Sequence, residues 1–230
     1  MKTVGIIGGI GPESTIEYYR AAIAAYRERK GDDGSPSIVI NSVDLKKLIE
    51  LVTENRLAEM TQYLAGEVRR LANAGAECGL LAANTPHIVF DELQKQSPIP
   101  LISIVRATCD AVKELGLKKV GLFGTRFTME GKFFSEVFSK EGVTLVIPLE
   151  EEREYIHDKY MNELLKSIFL PETREGLLNI VDHLMARDEI QGLILGGTEL
   201  PLILRDAIYR GIPFLDTTQI HVKALVEKLL

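Results

Sequence analysis

The chain has 230 residues, 46% of them apolar and 26% charged, which is enough apolar content for a large core. With 33 acidic against 27 basic residues the formal charge is −6 and no basic block stands out, so neither nucleic acid nor an anionic membrane surface is expected as a partner. No apolar run approaches the roughly 18 residues of a membrane span, and two cysteines, Cys78 and Cys109, fit a reducing cytosol better than a disulfide framework.

The segment Met1-Lys2-Thr3-Val4 enters a strand at once, leaving no room for a signal peptide, so a cytoplasmic location is expected. Lys2 to Gly8 reads as a buried strand, and Gly8-Gly9-Ile10-Gly11-Pro12 as the turn that follows it. Pro12 suits a first helical turn, where its missing N–H costs nothing. Ile16, Tyr19, Ile23 and Tyr26 recur every three or four positions and predict the buried face of a helix over 12–30. Residues 37–43 predict a second strand. Leu57, Met60, Leu64, Val68 and Leu71 stripe a further helix that Gly75 ends. Later strands are predicted near 79–83, 101–104, 119–124, 143–147, 191–196 and 213–215, with helices between most of them. Continuously apolar strands alternating with helices imply an α/β fold with parallel sheets covered on both faces.

A repeat underlies this pattern. Val4-Gly5-Ile6-Ile7-Gly8-Gly9 returns as Val120-Gly121-Leu122-Phe123-Gly124-Thr125, an offset of 120 − 4 = 116. Leu80-Leu81-Ala82-Ala83-Asn84-Thr85 returns as Leu193-Ile194-Leu195-Gly196-Gly197-Thr198, an offset of 198 − 85 = 113. The reading is two pseudo-symmetric Rossmann-like domains. Residues 1–105 with 206–230 form the first and residues 106–205 the second. Their strand carboxyl ends, where open α/β sheets bind ligands, would enclose one small cleft.

The candidate chemistry sits at those ends. The turn amides near Gly9 and Gly11 suit a carboxylate or phosphate, or the glycines only shape a tight turn. Ser14 stands where a dinucleotide fingerprint needs its third glycine, and no Gly-Lys-Ser/Thr follows, so a nucleotide site is not expected. Asn84, Thr85 and His87 form the densest polar cluster of the first half. His87 is either a general acid or base or a helix-start histidine bonded to nearby backbone. Thr198 and Glu199 match it in the second half; Glu199 is either a general-base carboxylate or a favourable charge at a helix start. His157, His183 and His221 read as solvated or core residues, and no pair of histidines has zinc spacing, so no metal is expected. Cys78 and Cys109 read as buried structural thiols.

Taken together these motifs resemble the aspartate/glutamate racemase family, which works without pyridoxal phosphate. Gly8-Gly9-Ile10-Gly11-Pro12 is similar to its opening Gly-Gly-Met-Gly-Pro, and Ala83-Asn84-Thr85-Pro86-His87 to its Cys-Asn-Thr-x-His. Gly121 to Thr125 with Thr128-Met129 is similar to its mid-chain motif. Tyr160, Glu163 and Leu164 match Tyr-x-x-Glu-Leu, with Ser167 where a glycine is expected after it. Gly196-Gly197-Thr198-Glu199-Leu200 is similar to Gly-Cys-Thr-Glu-Leu.

The resemblance implies an interdomain cleft in which two cysteines face the substrate α-carbon from opposite sides, one thiolate removing the proton and one thiol returning another. Here the two cysteine positions are Ala83 and Gly197, and neither side chain can move a proton. The implied ligand contacts are kept: Gly9, Gly11, Asn84, Thr85, Thr125 and Thr198, with His87 and Glu199 as acid/base candidates. The expectation is a racemase-family protein that binds a small amino acid or dicarboxylate without the two-thiol mechanism and without a cofactor. The alternatives are a non-catalytic amino-acid-binding protein and a lyase or decarboxylase of the same superfamily. The resemblance also allows a homo-oligomer, which no sequence feature decides.

Overall fold

The computed structural model describes residues 2–229; Met1, read above as part of the first strand segment, and Leu230 lie outside the described residues. The chain divides into two compact units, Met1–Ala107 with Thr218–Leu230 and Thr108–Thr217, each taken over its described residues. In the first unit, strands β1 (Thr3–Gly8), β2 (Ser37–Ser42), β3 (Cys78–Leu81) and β4 (Leu101–Ile102) form a parallel sheet in the order β2-β1-β3-β4. The second unit holds β5 (Lys119–Gly124), β6 (Thr144–Val146), β7 (Leu193–Gly196), β8 (Ile208–Tyr209) and β9 (Ile212–Asp216) in the order β6-β5-β7-β9-β8. All its pairs are parallel except β8 with β9. The fold is therefore α/β with parallel-dominated sheets. The eight predicted strands are all present. β8 escaped prediction because two residues, one of them the exposed Ile208, carry no periodicity.

One stretch belongs elsewhere than expected. The sequence expectation places 206–230 in the first domain, but β9 hydrogen-bonds to β7 and residues 206–217 fall in the second unit. Only the helix Thr217–Leu229 returns, with Val222, Leu225 and Val226 packed into the first unit's core beside Val4, Ile6 and Leu80.

The helix Pro12–Lys30 forms as predicted and buries the expected Tyr26, yet the rest of its buried face differs. Ile16 and Tyr19 lie exposed, while Ser14, Tyr18, Ala21, Ala22 and Tyr26 are buried. Small alanines allow close approach to the sheet, and the Tyr18 hydroxyl reaches a buried partner, Nδ1 of His221 at 2.9 Å. The helix Leu57–Asn73 buries the predicted Met60, Leu64, Val68 and Leu71.

Strand pairing also sets the repeat. Ile6 pairs with Leu80, and its counterpart Leu122 pairs with Ile194. The central strands are thus offset by 122 − 6 = 116 and their partners by 194 − 80 = 114. The sequence offset of 113 is one residue short, because one apolar run resembles another equally well after a single-residue slip, whereas hydrogen bonds do not. The corrected register makes Gly197 the counterpart of Ala83, Thr198 of Asn84, and Glu199 of Thr85.

Candidate functional site

In the first unit the turn after β1 is built on glycine geometry. Gly9 has φ +78°, and a Cβ there would lie 2.5 Å from both the Val43 carbonyl oxygen and the Ser42 hydroxyl, so no side chain fits without moving backbone. Its N–H donates to Thr15 Oγ1 at 2.8 Å. Gly11, at φ +88°, precedes Pro12, and no side chain caps the helix that begins there. At the matching place in the second unit Thr125 caps the helix Arg126–Glu130, its Oγ1 accepting from the Thr128 N–H at 3.3 Å.

The second element of the first unit lies beyond β3. The Ser14 hydroxyl donates to the Ala82 carbonyl at 2.7 Å and ties the helix after β1 to this segment. Ala83 and Asn84 are buried, and Asn84 leads into a short 3-10 turn, Thr85–Val89. His87 lies in that turn with both ring nitrogens committed to backbone. The Ile104 N–H donates to Nε2 at 3.1 Å, so Nδ1 carries the proton and donates to the Ala83 carbonyl at 3.0 Å. The ring stacks on Phe90, with centroids 5.0 Å apart, and meets the edge of His221. Burial and the neighbouring His221 push its pKa down to about 3, so it is a neutral imidazole at ordinary pH. Of the two readings of His87, this geometry favours the backbone-bonded one. His221 has a similar environment: Tyr18 donates to Nδ1, Nε2–H donates to the Ile102 carbonyl at 2.9 Å, and burial holds its pKa at about 4.

The corresponding junction of the second unit, after β7, is closed by side chains. The Thr198 hydroxyl donates to Glu199 Oε2 at 2.9 Å, and the Tyr160 hydroxyl donates to the same oxygen. Glu199 is 1% and Tyr160 5% exposed. Tyr160 comes from the helix Glu150–Asn162, and burial followed by the Glu199 charge raises its pKa well above that of a free phenol. The Tyr160 ring also covers Gly197: a Cβ on that glycine would lie 2.4 Å from a ring carbon and 2.9 Å from the phenolic oxygen. Sequence reasoning reached Tyr160 only as a motif residue; its partner lies 39 positions away, and no local signal joins them.

Neither cysteine occupies a strand carboxyl end. Cys78 opens β3, and burial raises its thiol pKa; Cys109 lies within the helix Ile104–Glu114, where burial and the neighbouring Asp110 push it to about 11. His157 accepts from the Arg126 N–H, and His183 pairs with Glu152 at the surface. Among the described residues no group of three or more His, Cys, Asp or Glu side chains is placed to hold a metal ion. Among them, too, no helix is long and apolar enough to cross a membrane.

The family model of the Asp/Glu/hydantoin racemases matches residues 7–225. The chain belongs to this family. It is 24% identical over 240 aligned residues to the broad specificity amino-acid racemase RacX of Bacillus subtilis, covering 99% of this chain and 98% of that one. It is similar to an aspartate racemase homologue from Pyrococcus horikoshii, with 33% identity, a TM-score of 0.82, and 100% and 99% of the two chains covered. The fold is shared with glutamate racemase from Francisella tularensis, solved in complex with D-glutamate, at 16% identity and a TM-score of 0.69 over 99% of this chain and 81% of that one. This chain carries Ala83 and Gly197 at the two register-matched positions where the motif resemblance places cysteine.

Proposed function

We propose that this racemase-family protein binds a small amino acid or dicarboxylate at the carboxyl ends of its sheet strands, and that it does not use a pair of thiols. The uncapped helix start after Gly11 suits a carboxylate, and Gly9, whose own N–H is taken by Thr15 Oγ1, shapes the turn that presents it. Asn84 and Thr85 beyond β3, with Thr125 and Thr198 beyond β5 and β7, supply the remaining polar contacts. The observation that carries the reading is the corrected register. It aligns Ala83 with Gly197 at equivalent strand ends and leaves the polar residues of both motifs in place. Both remaining thiols lie elsewhere, with pKa values moved away from the thiolate range. Aspartate and glutamate are the first ligands to try, on the family's own description, and the racemase name of the Bacillus relative widens the set to other amino acids.

Binding only the folded state raises stability, by about 2.7 kcal/mol at a hundredfold excess over Kd. A thermal-shift screen of the proteinogenic amino acids in both enantiomers, with small dicarboxylates, should therefore find at least one that raises Tm. If none does, and calorimetry finds no heat of binding, the reading is wrong.

A further inference from the structure

The binding proposal makes no use of the buried tyrosine and carboxylate of the second unit. Glu199 Oε2 accepts from two hydroxyls, those of Tyr160 and Thr198, an arrangement that suits an ionised carboxylate, which only accepts. The phenolic oxygen of Tyr160 lies 2.9 Å from the point where a side chain on residue 197 would begin. Residue 197 is one of the two positions where the motifs place cysteine. The polar group nearest the side-chain position of residue 197 is therefore a phenol, where a relative with cysteine would offer a thiol. The matching position of the first unit, Ala83, carries only a methyl group, and the nearby His87 has both nitrogens on backbone.

From this we infer that Tyr160 and Glu199 form a one-sided proton-transfer pair acting on the α-carbon of the bound amino acid. Tyr160 is the group that touches the substrate, and Glu199 is a positioning residue that takes up its proton. The inference rests on the amino-acid binding proposed above. In the step, the Cα–H bond breaks and its electron pair delocalises into the substrate's carboxyl group. The proton moves to the Tyr160 oxygen while the phenolic proton passes to Glu199. Reversal returns a proton to the same face, and nothing is oxidised or reduced. Because one group both removes and returns the proton, the α-proton exchanges with solvent while the configuration is kept.

The test follows, in deuterated water and by proton NMR, the α-proton of each amino acid that stabilises the full-length protein, with chiral chromatography alongside. The expected result is loss of the α-proton signal at least ten times faster than the opposite enantiomer appears. Tyr160→Phe and the isosteric Glu199→Gln should each lower exchange by roughly 100-fold or more, with the ligand-induced rise in Tm retained. For Glu199→Gln the loss should fall on kcat with KM little changed. Cys78→Ala/Cys109→Ala should exchange at the wild-type rate. Three results would overturn the inference and leave the binding proposal standing: a stabilising amino acid that the wild type does not exchange, undiminished exchange in Tyr160→Phe or Glu199→Gln, or inversion as fast as exchange. Should Tyr160→Phe fail to fold, Glu199→Gln decides alone. If no amino acid stabilises the wild type, the binding proposal itself falls.

Discussion

The junction after β3 and the junction after β7 occupy the same place in two sheets of matching strand order, yet they are finished in different ways. The first is finished by backbone: an imidazole between the Ala83 carbonyl and the Ile104 N–H, stacked on Phe90. The second is finished by side chains, two hydroxyls converging on one buried carboxylate. A repeated topology thus reproduces the location of a junction and leaves its chemistry to a few residues. An imidazole with both nitrogens on backbone is a structural device, whereas a phenol donating to a carboxylate joins two ionisable side chains.

The sharpest way to break this comparison is His87→Ala. It opens a cavity and strands a buried carbonyl and a buried N–H, and should cost about 3–5 kcal/mol in urea denaturation; a cost below 1 kcal/mol would mean that the imidazole does not hold the junction. Gly197→Ala should cost about 1–3 kcal/mol through overpacking against Tyr160. In a double-mutant cycle most of that penalty should vanish in a Tyr160→Ala background, and additive costs would show that the ring is not what restricts position 197.

Acid separates the two units as well. His87 and His221 have folded pKa values of about 3 and 4 against an ordinary 6.5. Below pH 6.5 the unfolded chain takes up protons that the folded chain does not. Their stabilising contribution is complete above pH 6.5 and is lost as pH falls toward the folded values, at up to about 1.4 kcal/mol per pH unit for each histidine. Hydrogen exchange near pH 5 should show β1 to β4 losing protection before β5 to β9; simultaneous loss would count against the assignment. The smallest expected effect is at Ser167, which holds φ +58° where the family motif has glycine. Ser167→Gly should raise stability by up to about 1 kcal/mol, read as a higher denaturation midpoint.

Strand positions were legible because β1, β3, β5 and β7 are buried on both faces and are therefore continuously apolar. The helix Pro12–Lys30 was legible in extent but, apart from Tyr26, not in orientation. Its buried face is chosen by two alanines and by a tyrosine whose partner, His221, is 203 residues away. The repeat was legible and its register was not, since apolar runs tolerate a slip that hydrogen-bonded strands forbid. The site motifs could be read as composition, but which nitrogen, hydroxyl or carboxylate meets which partner is decided by contacts between distant segments. Ala83 and Gly197 show the limit from the other side: the missing thiols were plain in the sequence, while the phenol beside Gly197 was visible only in three dimensions.

Ser14, the residue that spoils a dinucleotide fingerprint, has a mechanical consequence. Its hydroxyl holds the Ala82 carbonyl, and one residue later the His87 ring holds the Ala83 carbonyl. The segment leading to Asn84 is thus pinned at two successive peptide groups from two different elements. A ligand that meets Asn84 and Thr85 encounters a platform whose conformational entropy was surrendered during folding, so little ordering cost is left for binding. The serine that forfeits a nucleotide site thereby presets the rigidity of the segment that leads to Asn84.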